Sequence, residues 1–112
     1  MELQISRKQE KALLGGINFK FSATLKVSEQ DNEAINKYKL SKFVLCEFDK
    51  KEITINDLLK GSENKSNNVM ELLIFEDNIK KGLESFIMAL RSSENYNNED
   101  TFIINEISDS EN

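Results

Sequence analysis

Residues 17–27 read Ile17-Asn18-Phe19-Lys20-Phe21-Ser22-Ala23-Thr24-Leu25-Lys26-Val27. Apolar and polar side chains alternate without a break. Because successive side chains of a strand point to opposite faces, this is the pattern of a β-strand with one dry and one wet face. The preceding residues, Glu2 to Ala12, are of similar length. Leu13-Leu14-Gly15-Gly16 between them offers residues that tolerate positive φ in a hairpin connection. A long N-terminal β-hairpin follows. A competing reading makes Arg7 to Leu14 a short helix capped by Ser6, with Gln9 three positions later and Gly15 at its end. It has no apolar stripe and ranks second.

Downstream, Ser28 or Asp31 can cap a short helix through about Leu40, with Ala34, Ile35 and Tyr38 spaced to face inward. Phe43 to Phe48 is apolar on both faces apart from Glu47, as in a strand covered on both sides or lying centrally in a sheet. Ile53 and Ile55 suggest a short strand, Asn56 to Lys60 a helical turn closed by Gly61, and Ser62 to Asn68 a polar loop. Val69 to Ser92 is the principal helix. Its apolar residues Leu72, Phe75, Ile79, Leu83, Phe86 and Leu90 recur at three- and four-residue steps, and Asn68 with Glu71 forms an N-terminal capping pair. Glu76 with Lys80 and Asp77 with Lys81 are i,i+4 pairs that mark its solvent face. Gly82, unfavourable in a helix interior, implies a close backbone approach. Ser93 to Asp100 is an acidic connection, and Thr101 to Ile107 has the β-branched content of a last strand.

The expected fold is therefore α+β: an N-terminal β-hairpin in a mostly antiparallel sheet of four to five strands, packed by one long C-terminal amphipathic helix and one short helix. Residues 1–107 form a single domain of ordinary size, and residues 108–112 a disordered acidic tail.

Composition narrows the chemistry. The 112 residues contain no histidine, proline or tryptophan, and Cys46 is the sole cysteine. The commonest general base, metal ligand and activator of nucleophiles is thus missing. Cys46 in an apolar run reads as a small core residue. Ser62-Glu63-Asn64-Lys65 matches the Ser-x-x-Lys spacing of a lysine-activated serine, but in a polar loop it lacks the burial that lowers a lysine pKa. Glu94, Asn95, Asn97, Asn98, Glu99 and Asp100 offer oxygens without the spacing of a calcium loop. The expectation is a protein that is no enzyme, with no cofactor and no metal. A single cysteine and the charged residues near the N-terminus, where a signal peptide would be apolar, point to the cytoplasm. No apolar run approaches the roughly 20 residues of a membrane span.

Charge is polarised. Residues 1–26 carry a net +3, residues 27–66 a net −1 and residues 67–112 a net −7. Such asymmetry permits head-to-tail association of a homo-oligomer, or a cationic partner for the C-terminal part. On the wet face of the second strand, Lys20, Ser22, Thr24 and Lys26 form a row, with Arg7, Lys8 and Lys11 nearby on the paired strand. Such a row suits a phosphate-bearing small ligand such as a nucleotide. Overall acidity and the lack of interleaved aromatics argue against nucleic acid.

The stretches Glu33-Ala34-Ile35-Asn36-Lys37-Tyr38-Lys39-Leu40 and Ile53-Thr54-Ile55-Asn56-Asp57-Leu58-Leu59-Lys60-Gly61 resemble segments of short uncharacterised proteins from phages and mobile elements of low-GC bacteria. The resemblance covers about half the chain and brings no activity with it. It implies a small protein that blocks or sequesters a host component. The leading expectation is a non-enzymatic inhibitor or anti-defence factor that binds a protein partner stoichiometrically. A phosphate-sequestering protein and a self-associating structural or assembly protein are the alternatives.

Overall fold

A computed structural model describes residues 1–11 and 13–93, and residues 103–108 as backbone. The hairpin consists of β1 (Glu2–Lys11) and β2 (Ile17–Lys26), antiparallel and in register from Glu2 opposite Lys26 to Lys11 opposite Ile17. Gly15 and Gly16, both at φ 89°, turn the chain at its tip. The helical alternative for residues 7–14 is excluded.

Helix α1 (Glu29–Lys37) starts where the Ser28 hydroxyl accepts a hydrogen bond from the Asp31 amide. It buries Ala34 and Ile35 and stops earlier than expected. Lys39 takes a left-handed conformation that breaks the ladder, and Leu40–Lys42 continue as a 3₁₀ turn. Strands β3 (Val44–Phe48) and β4 (Lys51–Thr54) then make a separate antiparallel ribbon. This corrects the reading of residues 43–48 as a central or doubly covered strand. A register shift between Val44 and Cys46 breaks the alternation, so that Leu45 is buried and yet Cys46 and Phe48, out of phase with it, also pack against the core while Glu47 is exposed. Helix α2 (Ile55–Lys60) opens on a full capping box. The Thr54 hydroxyl accepts from the Asp57 amide, and the Asp57 carboxylate accepts from the Thr54 amide. Gly61, at φ 92°, closes it.

Ser62–Ser66, expected to be a loop, is strand β5 and pairs antiparallel with residues 19–23 of β2. Its residues are polar because it lies on a sheet edge with no apolar layer to bury. Backbone pairing with the free edge of β2 supplies the order that hydrophobicity does not. Helix α3 (Val69–Ser92) is capped by the Asn68 side chain, which accepts from the amides of Met70 and Glu71. The Glu71 carboxylate accepts from the Ser66 hydroxyl at 2.9 Å, so it ties the helix to β5. The chain ends its described course in β6 (Ile103–Ser108), parallel to β1. The strand extends one residue past the expected end of the domain, into the expected disordered tail of residues 108–112, of which 109–112 lie outside the described residues.

The main sheet has the order β5-β2-β1-β6. Strands β5 and β6 lie at opposite edges and run the same way, which requires the long crossover that α3 provides. Leu3 and Ile5 of β1, Phe21, Ala23 and Leu25 of β2, and Leu72, Phe75, Ile79, Leu83, Phe86 and Leu90 of α3 meet in the core, with Ile35, Leu45, Ile53, Ile55 and Leu58. The rings of Phe21 and Phe75 meet edge to face at 5.5 Å, and those of Phe43 and Phe86 at 5.7 Å. Gly82 is where α3 rides on β3. A Cβ there would lie 2.8 Å from the Leu45 Cα and carbonyl carbon, and closer still to its carbonyl oxygen. The expected α+β architecture, with its hairpin, long helix and short helix, is the one observed.

Candidate functional site: the two faces of the distal hairpin

Register decides which of the basic residues meet. Lys8, Lys20, Ser22, Thr24 and Lys26 share the outer face of the sheet, where Lys8 lies opposite Lys20 and Lys20 opposite Lys65 of β5. Arg7, one residue out of phase with Lys8, faces the other way, opposite Phe21 on the core side. The expected row of Arg7 with the lysines is therefore not assembled. Lys11 is exposed near the tip, opposite Ile17 and on the face of Arg7.

Two carboxylates, missed from sequence, thread the lysine row. Lys20 Nζ lies 3.2 Å from Glu63 Oε2 and 3.8 Å from Glu10 Oε1, while Lys65 Nζ lies 3.4 Å from Glu10 Oε2. The Lys65 ammonium, more than Lys20 or Lys8, holds the Glu10 carboxyl below its usual range. Like charges directly opposite one another destabilise a sheet, and these carboxylates relieve that repulsion. A phosphate would have to displace Glu10 and Glu63 from the ammonium groups it sought. On the outer face Lys20 and Lys65 are thus ion-paired with Glu10 and Glu63.

The inner face offers a different surface. Beyond the core, the distal hairpin and the first turns of α3 enclose a groove of about 230 Å³. Arg7, Gln9, Phe19 and Phe21 line it from the hairpin, with Lys8 and Lys20 along its border, and Val69, Leu72, Leu73 and Glu76 line it from α3. Phe21 and Leu72 are buried, whereas Val69 and Leu73 are 45% and 47% exposed, so the groove's outer wall is apolar and open.

The end of the groove is ionic. Arg7 donates through Nε to Glu76 Oε2 at 2.9 Å and through its terminal nitrogen to Glu76 Oε1, a bidentate pair. Lys80 adds a second cation, 3.3 Å from Glu76 Oε1. Glu76 is only 6% exposed, which overturns its assignment to the solvent face of α3. It lies on the side of the buried stripe, one turn beyond Leu72, and Arg7 supplies the opposite charge that burial requires. Asp77 and Lys81, 2.9 Å apart, do lie in solvent.

Apolar side chains continue from the groove to the tip. Ile17 shares a face with Phe19 and is 50% exposed, and Leu13 and Leu14 in the turn are fully exposed. Met70 and Ile74, 60% and 58% exposed, extend the apolar surface around the first turns of α3.

The remaining candidates are separated. Ser62 and Lys65 lie three positions apart on an extended strand, so their side chains point to opposite faces and the Ser-x-x-Lys arrangement does not form. Cys46 is half-buried, and desolvation pushes its thiol up to about 11, which keeps it protonated and unreactive at neutral pH. Residues 94–100, the acidic connection, lie outside the described residues. Among the described residues no cluster of acidic or cysteine side chains could hold a metal ion, and no helix is long and apolar enough to cross a membrane. No protein-family profile, characterised protein or solved structure matches this chain.

Proposed function

We propose that this protein acts without catalysis, by stoichiometric binding of a protein partner at the groove and the hairpin tip. The observation that carries this reading is the number of exposed apolar side chains at this end of the molecule, Leu13, Leu14 and Ile17 toward the hairpin tip and Val69 and Leu73 at the groove. Isolated exposed leucines are ordinary, but several exposed apolar side chains gathered at one end of a molecule and bordered by charge are a feature of interaction surfaces. The groove's size favours side chains of a protein over a small molecule, because drug-sized ligands fill sites of roughly 300–1,000 Å³. The ion-paired outer face counts against the phosphate-sequestering alternative. The resemblance to short phage and mobile-element proteins favours a host component as the target and blockade as the effect.

Quantitative capture from a bacterial lysate tests the reading. Wild-type protein is expected to retain one protein at a fixed molar ratio, and Leu14→Asp and Leu73→Asp to lose it. Retention of nothing at a fixed ratio, or retention indifferent to both substitutions, overturns it.

A further inference from the structure

Strand β5 is held to the sheet by different forces from β1 and β2. Those two strands bury apolar side chains, Leu3 and Ile5 on one and Phe21, Ala23 and Leu25 on the other. In β5 no residue is buried. Ser62 opposite Ala23, Asn64 opposite Phe21 and Ser66 opposite Phe19 share the core side of the sheet, and all three are polar and half-buried. Glu63 and Lys65, on the outer face, are exposed. Burial of apolar surface, the main force that fixes a strand in place, is therefore missing from this one.

What remains is polar. Beyond its backbone pairing with residues 19–23 of β2, the strand is fastened by Glu63 to Lys20 at 3.2 Å and by Lys65 to Glu10 at 3.4 Å. The Ser66 hydroxyl adds a bond to Glu71, donating at 2.9 Å. Asn64 uses its amide within the strand, donating to the Ser62 hydroxyl at 3.0 Å. The Glu63 and Lys65 side chains keep 53% and 52% of their exposure, and ion pairs so exposed are weak and screened by salt.

The elements around β5 do not depend on it. Before it, α2 is anchored in the core by Ile55 and Leu58, and after it α3 is anchored by Leu72 and Phe75. Phe21 of β2 is covered on the core side by the Phe75 ring. Gly61, at φ 92°, stands where the chain leaves α2 for β5, and without a Cβ it lets the backbone change direction there. Opening of residues 62–66 thus breaks backbone and ionic contacts and leaves the core intact.

We propose that β5 is an electrostatically latched strap. It swings away from β2 while the rest of the fold stays closed, and it bares the backbone of residues 19–23 as an unpaired sheet edge. The ion pairs of Glu63 and Lys65 set how often this happens, so the strap opens more as ionic strength rises.

Native-state hydrogen exchange of the full chain, read residue by residue by NMR, tests it. Alternate amides of β2 point to β5 and to β1, so one strand holds both probe and control. Within residues 19–23, amides directed at β5 are expected to exchange roughly a hundredfold faster than those directed at β1, at a rate that low denaturant leaves unchanged. Raising the salt should speed them severalfold. Glu63→Gln, at an exposed position, leaves Lys20 opposite Lys65 with one carboxylate fewer, and at low salt it should speed them severalfold and blunt their response to salt. Ser62→Val with Asn64→Val gives β5 an apolar core side and should slow the same amides about tenfold. If the β5-directed amides exchange only together with the rest of β2, on global unfolding, there is no strap. If they open locally but respond to neither salt nor Glu63→Gln, there is no latch. Either result, or a rate unchanged by the two valines, overturns the proposal.

Discussion

The two halves of the N-terminal hairpin share one strand pairing and one alternating pattern, yet they have opposite fates. In the proximal half, Leu3 opposite Leu25 and Ile5 opposite Ala23 are at most 2% exposed, covered by the helices. In the distal half, Phe19 is only partly covered, Ile17 is half exposed, and Leu13 and Leu14 lie wholly in solvent. The boundary is the Arg7–Glu76 pair, where an ion pair replaces the next apolar contact between β1 and α3. The same periodicity thus builds a core where a second layer is present and an exposed apolar surface where it is absent.

The strongest way to break this contrast is to lift the second layer. Gly82→Ala places a methyl group against the Leu45 backbone. Overpacking is expected to cost about 1–3 kcal/mol net, outweighing the gain of roughly 0.8–1.0 kcal/mol in helix propensity, as measured by denaturant unfolding. Next in size is the boundary itself. Glu76→Ala leaves Arg7 without its carboxylate, and a loss of about 1–3 kcal/mol is expected. This is less than for a fully buried pair, because the Arg7 side chain keeps 32% of its exposure. Replacing both partners with leucine should recover most of that stability and push the dry region outward along the hairpin, seen as slower amide exchange at Gln9 and Phe19.

At the tip the expected change in stability is small. Leu14→Asp should alter unfolding by less than about 0.5 kcal/mol while abolishing capture of the proposed partner, a separation that a core residue could not show. The smallest effects belong to titration. Glu10 has a depressed carboxyl in the folded state, so its contribution is present above the unfolded value of 4.5 and is lost as pH falls through the lower folded value. Stability of wild type and Glu10→Gln should therefore differ at neutral pH and converge in acid, and added salt should shrink the difference. Cys46 has the opposite sense. Its thiol is raised from 9.0 to about 11, so its contribution is complete below pH 9 and lost between pH 9 and 11. Alkylation at pH 8 should be much slower in the native protein than in denaturant.

Much of this was legible residue by residue. The alternation of residues 17–27 specified the strand and its dry face, Ser28 the cap of α1, and the spacing from Leu72 to Leu90 the stripe of α3. Gly82 announced a close approach, because nothing else justifies glycine in the middle of that helix. By contrast, β5 has no apolar face to report it, and its sequence of Ser, Glu, Asn, Lys and Ser is that of a loop. The bulge in β3 was hidden because a run apolar on both faces fits several environments. Half of the candidate site was legible as well: the lysines and hydroxyls of β2 do share a face. Arg7 was misplaced because nothing in the sequence says whether the residue beside Lys8 turns in or out until the strand's register is set.

The sequence by itself determined the local elements, since periodicity, capping and glycine placement act through neighbours a few residues away. It also determined the poverty of conventional chemistry, in the absence of histidine and the presence of one cysteine. Only the tertiary structure decided which surfaces remain uncovered. Glu76 became a buried partner of a residue 69 positions away, Glu10 and Glu63 paired with Lys20, and the apolar tip was left without a layer above it. Those outcomes depend on strand register and on where a helix ends in space, quantities set by long-range packing, which local sequence patterns do not encode.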